Sequence, residues 1–421
     1  MGFEQLFAIV VFMVAMVLIM SEKVHRTVVA LSGAMLLIIF HVMDFDTAIG
    51  HIDYNTLGVL FGMMLFVAVV RQSGLFEFLA IKTAKIAKGD PWRIMLLFAL
   101  LTAVLSAFLD NVTTVLLIGP MTLTICEILE IDPIPFFYIE IMSSNIGGTA
   151  TLIGDPPNIM LGSAAGYTFA DFIAYDAPVV LVIMAALIVS FYVMFGRKMS
   201  VSAEKEREVM ELEPAFEDVH LMKLSVGILM LVVVGFMVHG QLGIESSVVA
   251  ITAAALILLL SRSDVTKALH GVEWTTLAFF AGLFIIVGGM VETGTISVLA
   301  NGLIDVTGGN VFLTMIVLVF ASAVVSSFLD NIPFVATMIP ILLAMEGTGM
   351  DVTPLWWAVS LGACLGGNGT LIGASANVVL SDISAKHGHA ITFMQYLKIG
   401  FPMMVMSVAI AAIYLVMRFP A

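Results

Sequence analysis

Charge is what this chain has least of. Only 11% of its 421 residues are charged, against 61% hydrophobic, and the mean hydropathy is +1.11. A soluble globular domain carries about 25% charged residues, so that class is excluded. Cysteine is scarce as well. Cys126 and Cys364 are the only two, which excludes a disulfide framework and a cysteine-rich metal site, and no cofactor or metal is expected. Both read as small hydrophobes of the core. The formal charge of −14 argues against a nucleic-acid partner. Histidine is confined to loops and helix ends: His25, His41, His51, His220, His239, His270, His387 and His389. No histidine relay crosses the membrane, so any proton coupling falls to carboxylates. The 29 methionines are membrane filling.

Long apolar runs are present throughout, in lengths suited to a bilayer. In the first half they cover 4–20, 27–43, 56–70, 94–126, 136–165 and 178–195. In the second they cover 223–238, 246–260, 275–291, 311–345, 354–381 and 401–417. Glu22, Lys23, His25 and Arg26 follow the first run with no small-residue cleavage site, so it reads as a retained helix. Between the halves, Glu204 to Asp218 holds seven acids and reads as a solvated linker. The expected organisation is a first repeat at 1–199, an acidic cytoplasmic linker at 200–222 and a second repeat at 223–421.

The bases give an orientation. With the N-terminus outside, all Lys and Arg except Arg418 fall on the cytoplasmic side, and none is expected at membrane depth. Loops 41–54, 166–177, 239–247, 292–310 and 346–353 contain no Lys or Arg. That asymmetry is the positive-inside rule for a cell (inner) membrane protein. The loop from Arg71 to Arg93 is basic while its partner from Glu292 to Asn310 is not, so the two repeats are inverted.

The repeat is visible in the letters. Residues 106–120 read SAFLDNVTTVLLIGP and 326–340 read SSFLDNIPFVATMIP; 147–158 read GGTATLIGDPPN and 366–377 read GGNGTLIGASAN. Asp110-Asn111 divides its apolar stretch into arms of about 15 residues, short of the roughly 20 that a crossing needs. Two re-entrant hairpins are expected, with Asp110, Asn111 and Thr113 at one tip and Asp330 and Asn331 at the other. Irregular backbone at membrane depth must line a cavity or lie inside protein. A charged aspartate there costs about 2.5–3.5 kcal/mol on insertion scales, which favours a functional role over simple helix capping, a task Ser or Asn performs without charge.

The second element is a helix broken at mid-membrane. Gly147, Gly148, Gly154, Pro156 and Pro157 interrupt the first copy, and Gly366, Gly367 and Gly373 the second. Close packing and function are equally open for these glycines. Side-chain oxygens beside the breaks come from Thr149, Thr151, Asp155 and Asn158, and from Asn368, Thr370, Ser375 and Asn377. Asp155 is replaced by Ala374 in the second copy, so the halves are not equivalent. Proton coupling is expected from Asp110, Asp330 or Asp155. Glu140, near the start of its helix, is expected to snorkel or pair locally. The fold class is thus an all-α polytopic membrane protein: about ten transmembrane helices plus two re-entrant hairpins, in two inverted-topology repeats with broken helices.

SAFLDNVTTVLLIGP followed by NIGGTATLIGDPPNIM resembles the signature of the arsenite permease and pink-eyed-dilution P-protein branch of the ion transporter superfamily. The resemblance spans essentially the whole chain. It implies ten crossings with two hairpins, a transport and a scaffold domain, elevator-like movement and a possible homodimer. It also implies that the hairpin tips and both breaks line the site. Cargo varies within that group: arsenite, sodium in exchange for protons, or organic anions. Without a fixed cation at depth, a multiply charged anion lacks a counter-charge. The expected cargo is therefore arsenite or antimonite, exported against protons, with Na+/H+ exchange or sodium-coupled organic-anion transport as the alternative. An intramembrane aspartyl protease is a distant third reading, since no protease motif accompanies the two aspartates.

Sidedness is directly testable. Cysteines placed at Lys85 and at Asn301 are expected to react with a membrane-impermeant reagent from opposite faces; labelling of both from one face removes the inverted repeat.

Overall fold

The computed structural model describes residues 2–21, 23–213 and 218–420. Glu22 and Glu217, counted above beside the first run and in the linker, lie outside the described residues. In chain order the first half forms α1 (Phe3–Ser21), α2 (Arg26–Ile39), α3 (Phe45–Gly50), α4 (Tyr54–Arg71), α5 (Leu75–Ile86), α6 (Pro91–Phe108), α7 (Asn111–Leu129), α8 (Ile134–Thr149), α9 (Pro156–Ala165), α10 (Phe169–Tyr175) and α11 (Ala177–Met194). After α12 (Ala203–Glu211) the second half forms α13 (Val219–Leu242), α14 (Ser246–Ser261), α15 (Val265–His270), α16 (Trp274–Glu292), α17 (Thr295–Thr307), α18 (Val311–Phe328), α19 (Asn331–Glu346), α20 (Thr353–Gly366), α21 (Ser375–Lys386) and α22 (Phe393–Arg418).

The duplication extends to the helix caps. Asp44 caps α3 and Asp264 caps α15; Thr168 opens α10 and Thr392 opens α22, each with a reciprocal capping box. Large apolar side chains such as Leu181 and Leu259 stand more than 70% exposed on their helices. A surface of that kind is stable against lipid or a partner chain rather than water. Nine helices among the described residues are long and apolar enough to span alone, and α6, α7 and α18 among them are hairpin arms. The remaining crossings are α2, α14 and the broken pairs α8–α9 and α20–α21. Five crossings per half result, as the repeat requires.

Two differences from expectation have simple causes. The arms of the first hairpin run 18 and 19 residues rather than about 15, because α6 begins at Pro91, capped by Asp90, three residues before the apolar run, and α7 continues to Leu129, three residues past it. Length does not make these hairpins re-entrant; the position of the tip does. Thr151 Oγ1 donates to the Ala107 carbonyl at 2.5 Å, so α6 stops level with the α8–α9 break. The linker is also not simply solvated. Helix α12 buries Val209, sets the Glu206 backbone against Gly89 and joins Lys205 to Glu130 at 3.1 Å.

Inversion can be read from helix packing. Thr27 donates to the Thr275 carbonyl at the start of both α2 and α16, while Gly282 abuts Ala30 and Gly289 abuts Leu37 further along. The two helices therefore run parallel. Gly58 on Ser247 and Gly62 on Ala250 make α4 and α14 parallel in the same way. Since α2 and α4 are successive crossings, α16 opposes its own counterpart α4, and the halves are antiparallel.

These contacts need glycine. A Cβ on Gly282 would stand 2.7 Å from the Ala30 carbonyl carbon, which is backbone and cannot turn aside. Gly282→Val is expected to destabilise the protein by about 1–3 kcal/mol or more, read as a lower unfolding temperature in detergent. Gly302→Ala, with nothing within 4 Å of the new carbon, is expected to be neutral.

Candidate functional site: the cavity at the hairpin tips

Helices α7, α9, α19 and α21 all begin at the centre of the molecule, so four N-terminal partial positive charges meet there. Three of the four N-cap residues are aspartates: Asp110, Asp155 and Asp330. Asp110 accepts from Thr113 N at 2.8 Å and from Thr113 Oγ1 at 2.5 Å. Asp330 accepts from Ile332 N at 3.1 Å, since Pro333, which matches Thr113, has no N–H to offer. Asp155 makes no side-chain bond to its own helix. It accepts instead from Asn331 Nδ2 at 3.1 and 3.3 Å, which ties the first break to the second hairpin. Capping is therefore real for Asp110 and Asp330, and it leaves Asp155 facing across the repeats.

A small cavity of about 30 Å³ lies among these groups, space for about two ordered waters. Its wall includes Asp110, Asn111, Asp155, Asn331, Ser375, Thr276, Glu273 and Arg26. A vestibule of about 730 Å³ adjoins it through Met64 and Glu273 and carries Arg71 and Lys267, so it lies toward the basic face. On the other side of Arg26 a third cavity, about 290 Å³, touches Asp330 and Ser375.

Arg26 overturns the expectation that no base reaches membrane depth. It is the first residue of α2, and its long side chain extends inward to the second hairpin tip. Nη1 lies 3.2 Å from Asp330 Oδ2 and 2.7 Å from Ser375 Oγ, and the guanidinium stands over the Phe279 ring at 5.0 Å. The pair is only partly shielded, with side chains 28% and 15% exposed. Its place at a helix start made Arg26 look like a loop residue.

Several expected site residues turn inward to the breaks instead of lining the cavity. Asn158 Nδ2 donates to the Thr149 and Thr151 carbonyls at 3.2 and 3.1 Å. Asn377 Nδ2 donates to those of Gly367 and Thr370 at 2.7 and 2.9 Å. Thr370 donates to the Ser327 carbonyl, as Thr151 does to that of Ala107. Thr149 bonds back to its own helix at the Asn145 carbonyl, 2.7 Å away. The glycines belong to packing: a Cβ on Gly147 would meet the Ala103 carbonyl oxygen at 2.2 Å, and Gly366 repeats this against Ala323 at 2.6 Å. Gly148 and Gly154 close on each other, as do Gly367 and Gly373. Pro156 reaches the cavity wall and Pro157 is buried in the first turn of α9.

The amides of both repeats join at Asn145, which sequence reasoning passed over. Its Oδ1 accepts from Asn111 Nδ2 at 3.1 Å, and its Nδ2 donates to Asn368 and Asn377, each at 2.9 Å. Its counterpart in the repeat is Cys364, so duplication gave no signal for it. Glu273 and Thr276 were missed although a signal existed: 51–57 read HIDYNTL and 271–277 read GVEWTTL. Glu140 does not snorkel. It is 1% exposed and pairs locally, accepting from Thr122 Oγ1 at 2.5 Å.

The Arg26 and Asp330 charges are expected to be coupled. Arg26→Gln and Asp330→Asn should each lower the unfolding temperature, and the double variant should lose less than the sum of the two, by a coupling of about 0.5–3 kcal/mol. Strict additivity removes the ion pair from the account of this tip.

Comparisons with known proteins agree with this architecture. The citrate transporter family, CitMHS, matches residues 16–362. An uncharacterized transporter of Mycobacterium tuberculosis is 43% identical over 98% of both chains. The human P protein is 33% identical over 94% of this chain, which spans 58% of that longer protein. Among solved structures, the YdaH transporter of Alcanivorax borkumensis superposes with a TM-score of 0.61 at 13% identity, covering 98% of each chain. The family, the mycobacterial relative and the solved structure are all named as transporters. With this fold and these relatives, the chain is an integral membrane transporter and belongs to the CitMHS family of the ion transporter superfamily.

Proposed function

We propose that this transporter moves a small solute of no net negative charge in exchange for protons, by alternating access at the tip cavity. The observation that carries the reading is the balance of charge on the cavity wall. Asp110, Asp155 and Glu273 face one guanidinium, that of Arg26, and Asp330 already holds it. Two of the four helix N-termini are likewise held by the protein's own carboxylates, Asp110 and Asp330, and Asp155 stands at a third. A polycarboxylate would meet a wall of its own sign. Arsenite and antimonite, neutral as their undissociated acids, meet hydroxyl and amide partners in Ser375, Thr276, Asn111 and Asn331, and export of these is the reading we favour. The same excess of carboxylates favours Na+/H+ exchange as the second reading.

The proton would bind at Asp110, Asp155 or Asp330, with the cargo competing for the same carboxylate. The basic face, with α12 and the vestibule, is assigned to the cytoplasm and the N-terminus to the outside of the cell membrane. The boundaries 1–199, 200–222 and 223–421, and pairing into a homodimer, belong to the same proposal. A catalytic aspartyl dyad finds no support, since Asp110 gives both oxygens to Thr113 while Asp330 engages Arg26 and Ser375.

Proteoliposome flux under an imposed pH gradient is the test, comparing arsenite, sodium and a dicarboxylate. Arsenite or sodium is expected to accumulate and the dicarboxylate is not. At least one of Asp110→Asn, Asp155→Asn and Asp330→Asn is expected to abolish gradient-driven movement. Uptake of the dicarboxylate alone refutes the charge argument, and full activity in all three variants places the proton elsewhere.

A further inference from the structure

Outside the tip cavity the protein buries a carboxylate that the transport cycle above does not use. Asp176, where α10 gives way to α11, has no exposed surface, and its Oδ1 has no hydrogen-bond partner. Its Oδ2 lies 2.7 Å from Ser360 Oγ on α20. The same Oγ lies 2.9 Å from Asn158 Oδ1. Asn158 cannot be turned over, because its Nδ2 already serves the Thr149 and Thr151 carbonyls.

Ser360 has a single hydroxyl hydrogen and two acceptors within reach. When that hydrogen goes to Asn158, the contact with Asp176 is a hydrogen bond only if Asp176 carries a proton and donates it. When Asp176 is ionised, the hydroxyl turns to the carboxylate, since a charge-assisted bond is about twice as strong. Asn158 Oδ1 then keeps only the weak thiol of Cys364, 3.4 Å away. Asn158 is the residue that holds the α8–α9 break together, and the break carries Asp155 into the cavity wall.

We propose that Asp176 is a second proton-binding residue, whose protonation sets, through Ser360 and Asn158, the grip on the broken helix that carries Asp155. The proposal rests on the proton-coupled reading above. Helix α20 starts at the face opposite the basic one, so Trp357 stands one turn nearer that face than Ser360. Tyr167 and Tyr175 stack on Trp357 at 4.7 and 4.5 Å, and Phe419 on Tyr175 at 6.0 Å, a ring stack that closes this side. Opening the stack would let Asp176 exchange its proton with the outside. The titratable groups facing Asp176 are Cys364 on α20 and Tyr414 on α22, with its neighbour Tyr175, whose ring carries the Arg418 guanidinium at 4.7 Å. The device exists once: aligning the capping boxes at Thr168 and Thr392 sets Asp176 against Gly400, and Ser360 answers to Ile141 in the first repeat.

The test uses the full chain in proteoliposomes with a pH-sensitive dye inside, and whichever of arsenite or sodium the wild type moves. Asp176→Asn keeps shape and a donor toward Ser360 but cannot release a proton. It is expected to cut pH-gradient-driven accumulation about tenfold or more and to flatten the pH profile. Cargo-for-cargo counterflow at equal pH should stay within about twofold. Ser360→Ala should flatten the profile in the same way, and Asp176→Glu should restore a pH response with its midpoint displaced. Asp176→Asn with the wild-type profile and proton signal overturns the proposal while leaving proton coupling intact. Loss of counterflow along with accumulation also overturns it, by showing a structural role. A wild type that moves cargo with no dye response, or moves neither cargo, refutes the proton-coupled reading itself and this proposal with it.

Discussion

Every arrangement at the centre of this protein depends on one side-chain amide. Asn145 uses both of its N–H donors and its carbonyl on three other amides, from Asn111, Asn368 and Asn377, so that one residue touches the first hairpin tip and both sides of the second break. In a dry interior an amide left without partners costs about 1–3 kcal/mol, and each member of this set depends on the others. That mutual dependence ties the first tip to the second break, and Asn331 on Asp155 ties the second tip to the first break. Ser106 on the Ser144 carbonyl and Ser326 on the Ala363 carbonyl, each 2.6 Å long, repeat a lesser version of the same lock in the two halves.

Around that lock the charges arrange themselves by a simple rule. Helix N-termini that point at a membrane centre need negative partners, and here aspartates cap two of four starts directly, while Asp155 at a third turns to Asn331. The dipoles make the carboxylates tolerable, and the carboxylates leave little positive field for an anionic cargo. Arg26 sits at the seam between α2 and α16 on one side and the second hairpin on the other. Its contact therefore spans two groups of helices that alternating access would displace relative to one another. The partial exposure of the pair keeps the cost of parting it moderate.

Much of the architecture was legible because a duplicated sequence prints its own topology. The two DN motifs and the two glycine-rich stretches marked hairpins and breaks, and loops without bases marked the inversion. The limits were equally physical. Asn145 and Arg26 each lack a like residue in the other half, being matched by Cys364 and Ser246, so the repeat that revealed their neighbours was silent about them. Arg26 was hidden further by its position, since a long side chain at a helix start can point either way. Asn158 and Asn377 were legible as important but not as internal clamps. Whether an amide faces a cavity or its own backbone depends on a few ångströms of folding that no spacing records. The glycines, left open between packing and function, prove to be contact points against backbone.

The parallel pairing of α2 with α16, and of α4 with α14, has a consequence for how the chain comes into being. Each of these helices finds its partner only across the midpoint of the sequence. About 250 residues separate the start of α2 from the start of α16, which at ribosomal speed is roughly 12–50 s of synthesis. Through that interval the glycine-floored groove of α4 that receives α14, and the surface of α2 that receives α16, await their partners against lipid. Lipid tails seated there, later expelled by the arriving helices, would make bilayer composition a participant in assembly, and would make the newborn first half the most vulnerable form this protein ever takes.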